Sequence, residues 1–301
     1  MKLLVSLVST ALLGVPGCSG GGPAGPFRAP TQIAFQTART GSLEIYLMNP
    51  DGSGEIDVSR HPADDTSPSL SPDARRIAFV SERDGYLTRE IYVMNLDGSA
   101  QRNLTRHAAD DSSPAWSPEG RRIAFVRTRG NADIYVMRAD GAPQRNLTHS
   151  PAQDTQPAWS PDGRWIAFTS DRGGGGLTDV YVMRSDGGGL RRLTRNGFND
   201  SEPAWSPDGR WIVFVREIGG DDDLYVMRAD GTGERRLAHT LLNEQGPAWS
   251  PDGARIAFSR GHGASAEIWT VRAEGGGAQV LTTLHTGECC VAWGPVRRRH
   301  R

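Results

Sequence analysis

The sequence predicts an all-β protein, a six-bladed β-propeller built from four-stranded antiparallel blades. One pattern recurs along the chain and ends in prolines at 72, 118, 161, 207, 251 and 295, so the repeat is 43 to 46 residues long. Each repeat holds short segments rich in β-branched and aromatic residues, separated by turn-forming residues. No segment shows sustained helical periodicity. Four strands in about 45 residues are typical of a propeller blade.

Each repeat presents its strands in the same order. The first strand ends in a Pro-x-x-Ser-Pro-Asp-like turn, at residues 68–73, 114–119, 157–162, 203–208 and 247–252, with a degenerate copy at 291–295. The second strand begins at Ile77, Ile123, Ile166, Ile212 and Ile256. The third strand begins at Ile91, Ile134, Val180, Leu224 and Ile268. Asp-Gly or Glu-Gly then predicts a tight turn into a short fourth strand, because glycine accepts a positive φ.

The two ends of the repeat region are complementary. Residues 31–35 match a second strand and residues 44–48 a third strand, so the first repeat lacks its first strand. Residues 291–293 have the sequence of a first strand but nothing follows them to complete a blade. We therefore expect the last strand to complete the N-terminal blade, which removes the unpaired edges of an open array.

The N-terminus predicts export. Residues 1–18 read as a signal peptide whose apolar run is too short to span a bilayer comfortably and ends in a lipobox-like site at Cys18. Residues 19–30 form a linker, 31–296 the propeller and 297–301 a basic tail. We expect a periplasmic or cell-surface lipoprotein anchored to a membrane through Cys18, with ordinary secretion or a simple membrane anchor as alternatives.

The charge balance of the chain indicates which class of partner to expect. The chain has 34 basic and 35 acidic residues, for a net charge of −1. Nucleic-acid-binding proteins are usually strongly basic, so nucleic acid is not an expected partner.

The repeated Asp-x-x-Pro-x-Trp-Ser-Pro-Asp-Gly-x-x-Ile-Ala-Phe pattern resembles the repeats of TolB-type six-bladed β-propellers. The resemblance covers about residues 31–296 and implies the propeller fold. TolB-type proteins carry an α/β domain ahead of the propeller, and only a signal and a short linker are recognised here. Their partners are therefore not carried over to this chain.

One carboxylate lies three residues before the first-strand proline, or its equivalent, in every repeat. These residues are Asp65, Asp111, Asp154, Asp200, Glu244 and Glu288. If the first strands are innermost, the six side chains lie at one mouth of the central channel. Such a ring would suit a divalent cation or an Arg/Lys-rich segment of a partner. The alternative is structural, because an aspartate before Ser/Thr-x-Pro commonly accepts backbone N–H bonds in a turn.

The adjacent cysteines Cys289 and Cys290 precede the closing strand, and the sequence leaves their redox state open. No complete catalytic motif is recognised. The first hypothesis is therefore a non-enzymatic cell-envelope binding or scaffold protein that uses a propeller face and the acidic channel mouth to bind a protein or peptide. The alternative is a metal-dependent carbohydrate lyase or hydrolase acting at that mouth, although a fold alone does not imply such chemistry.

Overall fold

The computed structural model describes residues 31–85, 88–238, 240–283 and 287–294. These residues form twenty-four β-strands and one short 3-10 turn, Gly263–Ser265, arranged as six four-stranded sheets. The all-β fold class, the six blades and their antiparallel pairing are confirmed.

The first three blades follow the order of the chain, except that the last strand belongs to blade 1. Blade 1 contains β1 (Ile33–Thr37), β2 (Glu44–Met48), β3 (Ile56–Asp57) and the closing strand β24 (Cys289–Trp293). Blade 2 contains β4 (Asp65–Leu70), β5 (Arg76–Ser81), β6 (Glu90–Asn95) and β7 (Arg102–Asn103). Blade 3 contains β8 (Asp110–Trp116), β9 (Arg122–Arg129), β10 (Asn131–Arg138) and β11 (Gln144–Asn146).

The other three blades are continuous in sequence. Blade 4 contains β12 (Asp154–Trp159), β13 (Trp165–Ser170), β14 (Asp179–Arg184) and β15 (Arg191–Arg192). Blade 5 contains β16 (Asn199–Trp205), β17 (Trp211–Ile218), β18 (Asp221–Arg228) and β19 (Arg235–Arg236). Blade 6 contains β20 (Glu244–Trp249), β21 (Arg255–Arg260), β22 (Glu267–Arg272) and β23 (Gln279–Val280).

The ring closes inside blade 1, as the sequence predicts. Strand β24 pairs antiparallel with β1, with Ile33 opposite Trp293 and Ala34 opposite Ala292. The Gly294 N–H also donates to the Gln32 carbonyl at 2.8 Å. The first strands of successive blades contact one another around the ring, including β24 against β4. These strands are therefore innermost and surround the central channel.

The repeated Ser-Pro-Asp-Gly motif forms the turn from the first strand to the second. In blade 4 the Ser160 hydroxyl donates to Asp162 Oδ1 at 2.5 Å and accepts the Trp165 N–H at 2.9 Å. Gly163 adopts a φ of 70°, which a residue with a Cβ rarely tolerates. The motif therefore recurs because each of these residues has a distinct role in the turn.

The hydrophobic core lies between blades. Successive residues of a strand point to opposite faces, so each blade packs against both neighbours. In blade 2, Ile91 and Val93 pack with Phe125 of blade 3, whereas Tyr92 and Met94 pack against blade 1. The phenylalanine of each second strand has no exposed surface: Phe35, Phe79, Phe125, Phe168, Phe214 and Phe258.

The predicted signal peptide (1–18), the linker (19–30) and the basic tail (297–301) lie outside the described residues, and so does Cys18. Within the described ranges, the structure holds no helix long and apolar enough to cross a membrane.

Replacing Phe125 by alanine is expected to lower the free energy of unfolding by about 3–5 kcal/mol, because it leaves a cavity between blades 2 and 3. Urea unfolding followed by tryptophan fluorescence measures this loss. The matched control is Leu190→Ala, in the turn between β14 and β15 where the side chain is 45% exposed, and its effect is expected to stay within about 0.5 kcal/mol. Equal losses in the two variants would contradict a core located between the blades.

Candidate functional site

The six predicted carboxylates lie at the same end of the innermost strands. Asp65, Asp154 and Glu244 are the first residues of β4, β12 and β20, and Asp111 and Asp200 are the second residues of β8 and β16. Glu288 directly precedes β24. None of the six has any exposed surface. The repeat therefore places them in register, as predicted, but inside the protein.

Each of these carboxylates forms an ion pair with an arginine of its own blade. The pairs are Arg39–Glu288, Arg83–Asp65, Arg127–Asp111, Arg172–Asp154, Arg216–Asp200 and Arg260–Glu244. In blade 3 the pair is bidentate, with Arg127 Nε and Nη2 each 2.7 Å from an oxygen of Asp111. A cation at any of these carboxylates would have to displace or rearrange its arginine.

The same arginines lie over aromatic rings. The Arg216 guanidinium carbon is 5.2 Å from the centre of the Phe214 ring and 4.6 Å from that of Tyr225. The other blades repeat the contact with a second-strand phenylalanine and a third-strand tyrosine or tryptophan. Arginine suits this position because its planar group can stack on rings and still bind a carboxylate along its edge. We call this set the acid–arginine–aromatic unit.

Burial outweighs ion pairing in setting the pKa of three of the carboxylates, Asp65, Asp111 and Glu244. It raises the pKa of Asp65 to about 6, although hydrogen bonds from Ser81 and Arg83 oppose the shift. Burial also raises the pKa of Asp111 and that of Glu244 against the pull of their arginines. For Arg216, burial lowers the pKa, but hydrogen bonds and charge interactions with Asp200 and Glu234 outweigh it, and the net pKa is raised.

The backbone-capping role considered from the sequence falls on the preceding residue. Asp64 accepts the Leu43 N–H at 2.9 Å, and Asp110 accepts the Arg89 N–H at 3.0 Å. Gln153, Asn199 and Asn243 accept equivalent N–H groups in later blades. Each bond joins the residue before the carboxylate to the backbone near the start of the third strand of the preceding blade. In blades 2 to 6 the residue before the carboxylate thus supplies a backbone cap, while the carboxylate pairs with an arginine; Glu244 does both, because it also accepts the Leu224 N–H at 3.4 Å.

Sequence reasoning missed a second set of positions on the innermost strands. Two residues after each carboxylate, the strand bulges and the backbone adopts a positive φ of 51–62°. We call these six residues the channel ring: Ser67, Ser113, Gln156, Glu202, Gly246 and Cys290. Their identities vary from blade to blade while the flanking pattern is constant. That contrast within the repeat is the signal that could have revealed them.

Neighbouring members of the channel ring contact each other. Gln156 Nε2 donates to Glu202 Oε1 at 3.2 Å, and the Gly246 N–H donates to Glu202 Oε2 at 2.6 Å. Within the part of the chain that the structure describes, Glu202 forms no ion pair. Burial raises its pKa, and the Gly246 N–H only partly offsets that shift. Glu202 is therefore a channel-wall carboxylate that differs from the six arginine-paired ones.

Loops at this end of the channel expose apolar side chains. Leu241 is 80% exposed and Leu242 43% exposed, in the loop from β19 to β20. Phe198 is 41% exposed, in the loop from β15 to β16. Both loops lead into innermost strands and flank blade 5, so the apolar groups belong to the same end as the carboxylates.

No group of three or more His, Cys, Asp and Glu side chains in the described ranges could hold a metal ion. The described residues therefore offer no support for the metal-dependent lyase or hydrolase considered from the sequence. The divalent cation at the channel mouth stays a prediction.

A closed ring of six four-stranded blades around a channel defines a six-bladed β-propeller protein. Residues 90–296 match the family of the TolB beta propeller domain, PD40, and the chain belongs to that family. The resemblance inferred from the repeats is confirmed.

Solved structures that share the fold include two TolB proteins. TolB from Acinetobacter baumannii superposes with a TM-score of 0.77 and 24% identity, over 88% of this chain and 67% of that one. A putative TolB from Agrobacterium tumefaciens has a TM-score of 0.69 and 22% identity, over 90% of this chain and 100% of that one. A TolB homolog from Chlorobium luteolum is 39% identical over 59 residues, which is 20% of this chain and 14% of that protein.

Replacing Arg127 by methionine is expected to destabilise the protein by about 3–5 kcal/mol, because it leaves the buried Asp111 without its counter-charge. Replacing both residues, as Arg127→Met with Asp111→Leu, is expected to restore most of that loss, since the apolar pair leaves no buried charge. Urea unfolding of the wild type, both single variants and the double variant gives the coupling energy. Strictly additive losses would show that the pair is not coupled.

The raised pKa of Asp65 predicts how the free energy of unfolding depends on pH. Its pKa in the folded state is about 6, above its ordinary value of 3.8, so the folded protein binds more protons than the unfolded chain between these values. Its contribution to stability is therefore fully present below about pH 3.8 and is lost as the pH rises to about 6. Asp65→Asn should remove this component from unfolding free energies measured across that window.

The matched control is Asp51→Asn. Hydrogen bonds from Ser53 lower the pKa of this exposed carboxylate, so its contribution has the opposite sign and is lost as the pH falls through its folded-state pKa. If the unfolding free energy of Asp65→Asn varied with pH in parallel with that of the wild type, the raised pKa of Asp65 would be contradicted.

Proposed function

We propose that this protein is an exported, non-enzymatic cell-envelope protein whose propeller binds a protein or peptide at the end of the channel that carries the carboxylates. The observation that carries the proposal is the exposure of Leu241, Leu242 and Phe198 on the two loops flanking blade 5. Exposed apolar groups concentrated at one end of a propeller are typical of a protein-binding surface.

The chemistry of the channel end supports a partner with both apolar and basic side chains. Leucine and phenylalanine side chains would anchor apolar groups of the partner. Glu202 and the other channel-ring residues would meet a polar or basic side chain entering the channel, since an unpaired carboxylate in a low-dielectric wall favours a cationic group. In this proposal Asp65, Asp111, Asp154, Asp200, Glu244 and Glu288 act with their arginines to hold the rim and the channel ring in place.

Membership of the TolB propeller family agrees with a binding role rather than catalysis. Export and lipid attachment at Cys18 belong to the same proposal and rest on the N-terminal sequence alone.

The test is site-specific cross-linking in the native envelope. A photo-reactive residue at position 241 is expected to yield a discrete cross-linked product, and Leu241→Asp with Leu242→Asp should reduce partner recovery at least about tenfold. The matched control position is Leu190, which is 45% exposed but lies in the turn between β14 and β15 at the opposite end of the propeller. Cross-linking at 241 no stronger than at 190 would overturn the proposed surface.

A further inference from the structure

Two adjacent thiols lie together in the channel wall. Cys289 and Cys290 begin β24, are half-buried, and have their Sγ atoms 3.5 Å apart. In a regular strand, neighbouring side chains point to opposite faces of the sheet. Here the bulge in the β1–β24 pairing and the φ of 55° at Cys290 bring both sulfurs to one side. The channel-ring geometry thus turns two consecutive cysteines into a dithiol.

The neighbouring channel-ring residues set the surroundings of the pair. Gly246 packs beside the backbone of Cys290, and a Cβ at Gly246 would lie 3.5 Å from the Cys290 nitrogen. Glu202, on the other side of Gly246, interacts electrostatically with both thiols and disfavours their ionisation. The hydrogen bond between the cysteines lowers the pKa of Cys289 and raises that of Cys290 well above its ordinary range. The first proton of the pair is therefore lost from Cys289 more easily than the second is lost from Cys290.

The distance between the two sulfur atoms and the nearby charge of Glu202 indicate which kind of ligand the pair can bind. Two sulfurs bound at about 2.3 Å to one tetrahedral centre are about 3.8 Å apart, close to the separation found here. A zinc ion would need further protein ligands, and the described residues provide no third ligating group beside the pair. A metal dithiolate would also leave two sulfur charges close to Glu202. A neutral trivalent centre that needs only two sulfur ligands from the protein avoids both problems. It requires no third protein ligand, and it leaves no negative charge on the sulfurs beside Glu202.

We propose that Cys289 and Cys290 form a dithiol site in the channel wall that captures a trivalent thiophilic oxyacid, of which arsenous acid is the simplest. Each thiol replaces one hydroxyl of As(OH)₃. Two S–H bonds and two As–O bonds break, two As–S bonds form, and two water molecules leave. No oxidation state changes, and the product, a cyclic dithioarsenite with one remaining hydroxyl, is neutral. Cys290 is also a channel-ring residue, but the capture reaction needs neither the loops flanking blade 5 nor a second protein, so it can be tested on the purified chain alone.

The experiment uses the full chain with Cys18→Ser, which leaves Cys289 and Cys290 as its two cysteines. Phenylarsine oxide is the probe, added to the reduced protein without oxygen. One equivalent is expected to remove both thiols from titration with a chromogenic disulfide. The mass should rise by one phenylarsine oxide less one water. The adduct should survive excess glutathione, a monothiol, and be reversed by a small dithiol.

Serine variants supply matched controls that the fold already tolerates. Ser67 and Ser113 occupy the position of Cys290 in blades 2 and 3 with φ values of 51°. Ser112 occupies the position of Cys289 in blade 3. Cys289→Ser and Cys290→Ser should therefore fold, as circular dichroism can verify, and each should bind the probe at least about 100-fold more weakly in glutathione, because chelation is lost. Removal of the wild-type adduct by glutathione, or equal retention in a single-serine variant, would overturn the dithiol site.

Discussion

In every blade a fully buried carboxylate is held by an arginine that lies on two aromatic rings, and the channel end of the propeller depends on this unit. A buried carboxylate is costly unless it is paired and hydrogen-bonded, so removing either charge would destabilise the blade more than the pair itself stabilises it. The arginine links the innermost strand to the second and third strands of its blade. Lysine could not stack flat on the rings while binding a carboxylate through two donors. Beyond Lys2, all basic residues other than histidine are arginines.

This unit separates the framework of the propeller from its variable surface. The carboxylate fixes where each innermost strand starts, and two residues later the bulge turns a different side chain to the channel ring. The same frame thus presents serine, glutamine, glutamate, glycine or cysteine at equivalent positions. Variation at these six positions and in the loops flanking blade 5 changes the side chains presented at the channel end without altering the blade core.

The sequence revealed the carboxylates but not their arginines, for a definite reason. In blades 3, 5 and 6 the arginine follows the isoleucine of the second strand by four residues, as Arg127 follows Ile123. In blades 1, 2 and 4 it follows by six residues, as Arg83 follows Ile77. A fixed-spacing comparison therefore does not align them, although in space each reaches the same carboxylate. The six carboxylates predicted at one mouth of the channel are therefore buried and charge-compensated.

The sequence by itself determined the number of blades, their strand order and the closure of the ring, because these follow from the repeat period and from strand and turn preferences that act locally. It also determined that the six carboxylates share one end of the innermost strands. The tertiary structure alone decided that they are buried, which arginines neutralise them, and that Glu202 and the thiols of Cys289 and Cys290 meet in the channel wall. Those properties depend on side-chain contacts within and between blades and on a bulge that changes side-chain direction, and none of these is encoded in the spacing of residues within one repeat.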